Sequence, residues 1–287
     1  MKPFTFKDLF ERADFILGKR ECMWWCRDFE TKIVYPDEDL TKIEQAKILF
    51  LYGGALDEWA KRFQVLQISC KLLILGATDE TYTCARINKL LSILPETQFW
   101  ITNWVGFHPR CSILPLLPNY HGVFTDMEYQ KKSLFGISFA RVNSHARIDF
   151  YSSLSKFPEL QKYLMIEVPN TQFYKALGSI YFSCCPMGGG LDTYRFWESL
   201  LVGAIPIVKH HFFYECLQRE YPHIPMIIID TWEDLPKCVE SLSIEKYDKM
   251  MSSANLDVLF PSYWEMKLGV IHNFIDKNNT SNNNNDK

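Results

Sequence analysis

The chain has 287 residues, with 31 basic and 34 acidic side chains and a formal net charge of −3 at pH 7. Apolar residues make up 47% of it, which is typical of globular domains with substantial cores and excludes a disordered or fibrous chain. A net acidic chain argues against nucleic acid as a partner, and no apolar run is long enough for a membrane span. Residues Met1–Asp8 carry charges where a signal peptide needs an apolar core, so we expect a cytoplasmic protein.

Metal and disulfide chemistry find no support in the sequence. The nine cysteines form none of the CxxC pairs that are typical of zinc sites. Their odd number and irregular spacing do not fit a disulfide framework. We therefore expect no metal site and no cofactor.

Short apolar runs alternate with amphipathic stretches along the chain, which indicates parallel sheets with helical crossovers. The predicted strands are Ile48–Tyr52, Leu72–Leu75, Gln98–Ile101, Ile113–Leu116, Leu134–Phe139, Leu164–Val168, Ser179–Ser183, Ala204–Val208 and Met226–Ile229. The predicted helices are Thr83–Leu94, Ala146–Lys156, Thr171–Leu177, Asp192–Val202 and Tyr214–Glu220.

These strands are too many for one small sheet, and a polar stretch near Tyr120–Lys132 divides them. We therefore predict an α/β fold with two Rossmann-like domains and parallel sheets. The predicted parts are domains at residues 1–122 and 130–258, a C-terminal helix within 259–277 (about Ser262–Ile275) and a disordered tail at 278–287. Because such sheets bind ligands outside the carboxyl ends of their strands, we expect the domains to face each other across a cleft.

The most informative stretch, residues 183–208, reads as a strand, a glycine loop, a helix and a second strand. Consecutive glycines let the backbone approach a ligand closely, and a capped helix start favours an anion. The loop is neither a Walker loop nor a G-x-G-x-x-G motif. The residues that the pattern places at a ligand are Gly188, Gly189, Gly190, Asp192 and Thr193, of which either of the last two is expected to cap the helix.

The predicted helix carries apolar residues on one side, with Arg195 and Glu198 three residues apart on the other. A guanidinium there suits a diphosphate, and the carboxylate can accept from ribose hydroxyls. The alternative is an exposed surface ion pair, but the preceding glycines favour the binding site. Arg147, near a helix start, and Lys209, after a strand, are further candidates for phosphate contacts, with Arg147 preferred to Arg141.

This stretch resembles the exostosin-like glycosyltransferases (glycosyltransferase family 47), whose C-terminal domain carries a "SPRG.G.D..R.WEAL..G.IPIV" signature. The matching residues here are Cys185-Pro186-Met187-Gly188-Gly189-Gly190-Leu191-Asp192-Thr193-Tyr194-Arg195-Phe196-Trp197-Glu198 and Gly203-Ala204-Ile205-Pro206-Ile207-Val208. Residues 71–79 resemble the family's "HNSD" loop, 113–119 its "PIPLGL" loop and 138–147 the opening of its donor domain. The resemblance covers residues 70–260 and is specific only at 183–208.

The resemblance implies two facing domains (the GT-B arrangement), a nucleotide-sugar donor with UDP as the expected nucleotide, a glycan acceptor, inversion at the anomeric carbon and no required metal. In place of the family's "HNSD" histidine stands Gly76 or Ala77, and the membrane anchor of most animal and plant members is lacking. The second departure indicates a soluble microbial or viral enzyme. The alternatives are a non-catalytic module that binds nucleotide-sugars or glycans, and another GT-B enzyme such as a GDP-fucose-dependent transferase.

Inverting transfer needs a base for the acceptor's proton and positive groups for the departing diphosphate. Asp79, just past a predicted strand, is the candidate base, although it equally fits a cap of the next helix. Arg195 is the candidate for the leaving group. Asp57 is predicted to contact the acceptor and, with Glu58, is the reserve base, while Trp104 is the aromatic residue expected to be exposed to the acceptor.

Overall fold

The computed structural model describes residues 3–20, 24–66, 68–116, 129–137, 144–165 and 172–270. The chain divides into two compact units. The N-terminal unit comprises Phe6–Leu114 and Phe260–Lys287, and the C-terminal unit comprises Met1–Thr5 and Pro115–Leu259. Within the described ranges, no helix combines the length and the apolar character needed to cross a membrane.

A six-stranded parallel sheet forms the centre of the N-terminal unit. Its strands are β1 (Phe15–Leu17), β2 (Ile33–Val34), β3 (Ile48–Tyr52), β4 (Leu72–Gly76), β5 (Gln98–Ile101) and β6 (Cys111–Ile113). They lie in the order β2-β1-β3-β4-β5-β6. The central strands β3 and β4 are almost continuous buried apolar runs, as a parallel sheet covered on both faces requires.

Helices α1 (Phe6–Arg12), α2 (Leu56–Phe63) and α3 (Cys84–Ile93) belong to the N-terminal unit, together with a C-terminal helix described over residues 261–270. Helix α2 shows why they pack, because its buried residues recur at helical spacing: Leu56, Trp59, Ala60 and Phe63. Short 3-10 segments lie at Trp24–Lys32, Thr41–Ile43 and Gly53–Ala55. The C-terminal helix contacts the sheet through Trp264, whose ring centre lies 5.0 Å from that of Trp100.

The C-terminal unit is built on a four-stranded parallel sheet. Its strands, in the order β10-β9-β8-β7, are β7 (Ser133–Ile137), β8 (Ile180–Cys184), β9 (Ile205–Lys209) and β10 (Ile227–Ile229). Its helices are α4 (His145–Leu154), α5 (Phe173–Gly178), α6 (Tyr194–Leu201), α7 (Phe212–Glu220), α8 (Leu235–Glu240) and α9 (Ile244–Ser252), with 3-10 segments at Pro158–Tyr163, Trp232–Asp234 and Asp257–Leu259.

The direction of the connections reverses at β7. Ile137, at the end of β7, pairs with Cys184 of β8 on one side and forms a parallel bridge with Leu164 on the other. After β7 the chain therefore first pairs at Leu164 on one side of this strand and then adds β8 on the other side. Such a reversal leaves a crevice at the carboxyl ends of the two strands, where open α/β sheets bind their ligands.

The predicted fold class, α/β with parallel sheets in two Rossmann-like units and a C-terminal helix, is confirmed. Strands β3 and β5 have the predicted bounds, and most other predicted strands differ by one to three residues at an end. The prediction missed β1 and β2, because strands of three and two residues give no recognisable apolar run.

Some predictions fall on residues outside the described ranges. Of the predicted strand Leu164–Val168, only the bridge at Leu164 is described, since residues 166–171 lie outside. The tail at 278–287, the end of the predicted C-terminal helix and most of the predicted boundary at Tyr120–Lys132 also lie outside the described residues.

Candidate functional site

The glycine loop lies at the reversal of the C-terminal sheet. Strand β8 ends at Cys184 and α6 begins at Tyr194, so residues 185–193 form the loop at the carboxyl end of β8. The neighbouring strand β7 leads towards α4, which begins at His145. The helices α4 and α6 therefore start at the two strand ends that border the expected crevice.

Thr193 is the N-cap of α6, as one of the two predicted alternatives has it. Its side-chain oxygen accepts a hydrogen bond from the Phe196 N–H at 3.3 Å. This bond satisfies one of the donors that a helix start leaves open, and it fixes where the loop ends. The remaining N–H groups of the first turn still point towards the loop side of the helix.

Asp192 has a structural role, which corrects the expectation of a carboxylate at the ligand. Its Oδ1 accepts from the Thr193 N–H at 2.9 Å and from Trp197 Nε1 at 2.8 Å, and its Oδ2 accepts from the Leu116 N–H at 2.6 Å. The residue is only 3% exposed. Burial raises the pKa of Asp192 to about 7, although the three N–H donors act in the opposite direction.

Arg195 and Glu198 form the predicted pair, with Arg195 Nε donating to Glu198 Oε2 at 3.3 Å. The pair is not on an exposed helix face, however, because the two side chains are 12% and 9% exposed. Helix α5 covers them: the Arg195 guanidinium carbon lies 4.2 Å from the centre of the Phe173 ring, and the Tyr174 hydroxyl donates to Glu198 Oε1 at 3.3 Å. The alternative of an exposed surface ion pair is therefore excluded.

Arg147 approaches the same loop from α4. A Cβ atom on Gly188 would lie 3.5 Å from Arg147 Nη2. Burial and the positive charge of Arg195 both lower the pKa of Arg147, so the two guanidinium groups lie near enough to repel each other. A cation beside a glycine backbone, with a second cation acting on it, suits a ligand with two or more negative charges, such as a diphosphate.

The remaining predicted phosphate ligands are less directly connected to the loop. Lys209, at the end of β9, donates to Asp149 of α4 at 2.8 Å, and both side chains are about half exposed. This contact joins the end of β9 to the first turns of α4, so Lys209 shares the sheet edge with Arg147. Its role at a phosphate stays a prediction. Arg141 lies outside the described residues.

The residues predicted for acceptor chemistry lie in the N-terminal unit. Asp79 is exposed in the segment that follows β4. Asp57, in the first turn of α2, forms an ion pair with Arg86 at 2.9 Å. Trp104 is 1% exposed, so the prediction that its ring is exposed to an acceptor is wrong. The loop after β5 folds inward there, because Trp104 forms a parallel bridge with Tyr82.

Phe173 and Tyr174 contact the candidate site, yet nothing in the sequence singles them out. The segment is predicted as a helix, and two aromatic residues at its start also fit ordinary core packing. The signal for their role is indirect: an arginine and a glutamate buried beside each other need further partners. The sequence does not reveal which element supplies them.

Within the described ranges, no group of three or more histidine, cysteine, aspartate or glutamate side chains is placed to hold a metal ion. No protein-family model matches the chain, and no curated protein matches it. Among solved structures, the chain is similar to CalG4, the calicheamicin glycosyltransferase, with 11% sequence identity and a TM-score of 0.37. The match covers 79% of this chain and 73% of that one. At this score the likeness says nothing about substrate.

Proposed function

We propose that the chain is an inverting glycosyltransferase that moves a sugar from a nucleotide-sugar, expected to be a UDP-sugar, to a hydroxyl group of a glycan. The observation that carries this proposal is the Arg147 guanidinium beside Gly188 of the glycine loop, where the positive charge of Arg195 also acts on it. The resemblance of residues 183–208 to the exostosin-like enzymes supports sugar transfer as the chemistry.

In the proposed reaction the nucleoside diphosphate is the leaving group, and negative charge grows on it as the bond to the sugar breaks. Fixed positive groups aimed at that charge lower the barrier, because they need no reorganisation during the reaction. Arg147 and Arg195 supply this charge, and the start of α6 adds its dipole. In this proposal the two cations take the place of a divalent metal ion.

The glycine loop has a separate task in the proposal. A glycine backbone lets a phosphate approach more closely than any side chain would allow, and Gly188 lies directly beside Arg147. Further proposed donor contacts come from Gly189, Gly190, the Thr193 backbone, Glu198 and Lys209.

On the acceptor side, we propose Asp79 as the general base. Its exposed position after β4 suits a group that receives a proton from an incoming hydroxyl. Asp57 is the proposed acceptor contact; its ion pair with Arg86 leaves its side chain 72% exposed.

A second candidate function is a binding module without catalysis. The observation that favours it is the position of the family's characteristic histidine, where this chain has Gly76 or Ala77. Neither residue carries a side chain that moves a proton. Ala77 also has a φ of 60°, so the backbone there follows an unusual path for an alanine.

Donor turnover separates the candidates. The protein is incubated with a panel of UDP- and GDP-sugars, with and without glycan acceptors, and released nucleoside diphosphate is measured with EDTA and with Mn²⁺. We expect slow hydrolysis of one donor, faster release with a suitable acceptor, an inverted product by NMR and no effect of EDTA.

Each part of the proposal has its own contrary result. Binding of a donor without turnover, with every acceptor tried, supports the binding module. A product of retained configuration contradicts inversion, and activity lost in EDTA and restored by Mn²⁺ contradicts the metal-free mechanism. Failure to bind any nucleotide-sugar contradicts the transferase, and failure to bind any glycan as well contradicts the binding module.

A further inference from the structure

The guanidinium of Arg195 is held by neighbouring side chains of α5 and α6. The Phe173 ring lies under one face at 4.2 Å, and Glu198 accepts from its Nε at 3.3 Å. Glu198 is held in turn by the Tyr174 hydroxyl at 3.3 Å. Two consecutive residues of α5 thus act on one arginine of α6, one directly and one through a carboxylate.

These contacts counteract the electrostatic repulsion between two arginine side chains. Burial and, to a smaller extent, the positive charge of Arg195 lower the pKa of Arg147, so the two cations repel each other. A long arginine side chain has many rotamers, and repulsion would drive an unrestrained one away from its neighbour. The Glu198 carboxylate offsets this repulsion, and the stacking contact with Phe173 fixes the plane of the guanidinium.

The Tyr174–Glu198 hydrogen bond holds the carboxylate itself. Burial raises the pKa of Glu198, whereas the Arg195 cation and the Tyr174 hydroxyl favour the charged form. Burial and the nearby Glu198 also raise the pKa of Tyr174, so its hydroxyl keeps the proton that it donates. Without this bond, one oxygen of a carboxylate that is 9% exposed loses a partner that water does not readily replace.

We propose that Phe173, Tyr174 and Glu198 are positioning residues that hold Arg195 beside Arg147, so that the two guanidinium groups are preorganised for a diphosphate. This inference rests on the proposed function and deepens it. It gives Glu198 the task of orienting Arg195, in addition to any contact with a ribose. It also gives α5 a role in catalysis, although no residue of α5 needs to touch the reacting atoms.

The test compares two tyrosines of the C-terminal unit. Tyr174→Phe removes the hydroxyl that reaches Glu198, and Tyr247→Phe removes one that donates to the Gly203 carbonyl at 2.8 Å. Both variants lose one partly buried hydrogen bond and keep the ring. We expect Tyr174→Phe to lower kcat/KM for the donor about three- to tenfold, because misplaced catalytic groups lose rate steeply. Tyr247→Phe is expected to stay within about twofold of the wild type at a similar loss of thermal stability.

Two further comparisons identify the route. In a Glu198→Gln background, Tyr174→Phe should have little additional effect, because its action passes through Glu198. Phe173→Leu should lower the affinity for pyrophosphate about threefold or more, and Phe173→Tyr, which keeps an aromatic face, should restore it.

Equal effects of the two tyrosine variants overturn the proposal, as do effects of Tyr174→Phe and Glu198→Gln that simply multiply. In either case the wild type still turns over donor, so the proposed function stands. If the wild type binds neither UDP nor pyrophosphate in calorimetry, the proposed function and the positioning role both fall. Because pyrophosphate binding needs no acceptor, the inference is testable before the acceptor is known.

Discussion

Each unit places a strand, a glycine and a helix at the carboxyl edge of a parallel sheet, but the two turns differ in what surrounds the glycine. In the N-terminal unit, a Cβ atom on Gly53 would overlap the Tyr82 hydroxyl and the Thr78 methyl group. In the C-terminal unit, a Cβ atom on Gly188 would meet Arg147 only at ordinary contact distance, 3.5 Å. The protein itself fills the space at the first glycine, whereas at the second one no described residue comes closer than ordinary contact.

The ion pairs at these two edges differ in the same way. Arg86 and Asp57 are 40% and 72% exposed, and Arg195 and Glu198 are 12% and 9% exposed. An exposed pair contributes about 0–1 kcal/mol, whereas a buried pair persists only where other contacts hold both partners. The comparison teaches that residue type and spacing do not distinguish a surface ion pair from a candidate binding site. Burial and the remaining partners do.

The largest effect is expected at Asp192, the buried acid of the C-terminal turn. Its pKa is about 7 in the folded chain and starts from 3.8, so between these values the folded state keeps a proton that the unfolded state has lost. Stability therefore falls as the pH rises from about 4 to about 7, by up to about 4 kcal/mol, at about 1.4 kcal/mol for each pKa unit. Urea unfolding across this range measures the slope.

Asp192→Asn removes the titrating group and should remove this part of the slope. His211 acts with the opposite sign: burial lowers its pKa, so its contribution is lost as the pH falls below about 6.5. The comparison of wild type and variant cancels it. An unchanged slope in Asp192→Asn would mean that the pKa of Asp192 is the same in the folded and the unfolded chain. Burial of this carboxyl group would then not be the cause of the pH dependence.

The second prediction compares the two arginines. Arg195→Ala should lower kcat/KM for the donor about 10- to 150-fold, which corresponds to a charge-assisted bond of about 1.5–3 kcal/mol. It should also lower the free energy of unfolding by about 1–3 kcal/mol, because Glu198 stays buried without its cation. Arg86→Ala, at the exposed pair, should cost about 0.2–1 kcal/mol and leave donor hydrolysis without acceptor unchanged.

Donor kinetics and urea unfolding of the two arginine variants decide this prediction. Similar stability losses in both would show that burial of the Arg195 pair has no energetic consequence. Unchanged donor kinetics in Arg195→Ala would contradict the assignment of the site.

These two arginines also show how far the sequence leads. Local features are predictable from the sequence: a continuous apolar run predicts Ile48–Tyr52, and polar residues before a helix predict a cap at either Asp192 or Thr193. Helical spacing places Arg195 and Glu198 together on the side away from the main apolar face. It does not reveal that α5, about twenty residues earlier, covers that side, because this depends on the packing of distant segments.

Trp104 also shows that burial depends on the packing of distant segments, and here the sequence-based prediction is wrong. A tryptophan between Asn103 and Val105 in a predicted loop was expected to be exposed, yet the bridge to Tyr82 buries it. Whether a loop side chain turns inward depends on pairing with a segment about twenty residues away, which a single sequence does not encode locally. The sequence therefore predicts the motif of the candidate site, but it does not predict the α5 side chains that pack against Arg195 and Glu198.

The third prediction addresses the filled turn of the N-terminal unit. Gly53→Ala should lower the free energy of unfolding by about 1–3 kcal/mol, because the added methyl group must displace the buried Tyr82 or the backbone. Thermal and urea unfolding measure the loss. The double variant Gly53→Ala, Tyr82→Phe removes the nearest overlapping atom and should recover part of it; no recovery would indicate that the clash lies elsewhere.

The smallest effect on folding is expected at the open turn. Gly188→Ala adds a methyl group whose nearest described neighbours, Arg147 Nη2 and Thr193 Cγ2, lie at 3.5 and 3.8 Å, so no residue that the structure describes has to move. The free energy of unfolding should change by no more than about 0.5 kcal/mol, since less freedom in the unfolded chain offsets minor strain.

Binding should respond differently, because the methyl group takes the space through which a phosphate would approach the backbone. We expect the dissociation constant for UDP to rise at least about fivefold, a loss of about 1 kcal/mol. Calorimetry of Gly188→Ala beside the wild type checks this, and unchanged UDP affinity would mean that the ligand does not use the open face of this glycine.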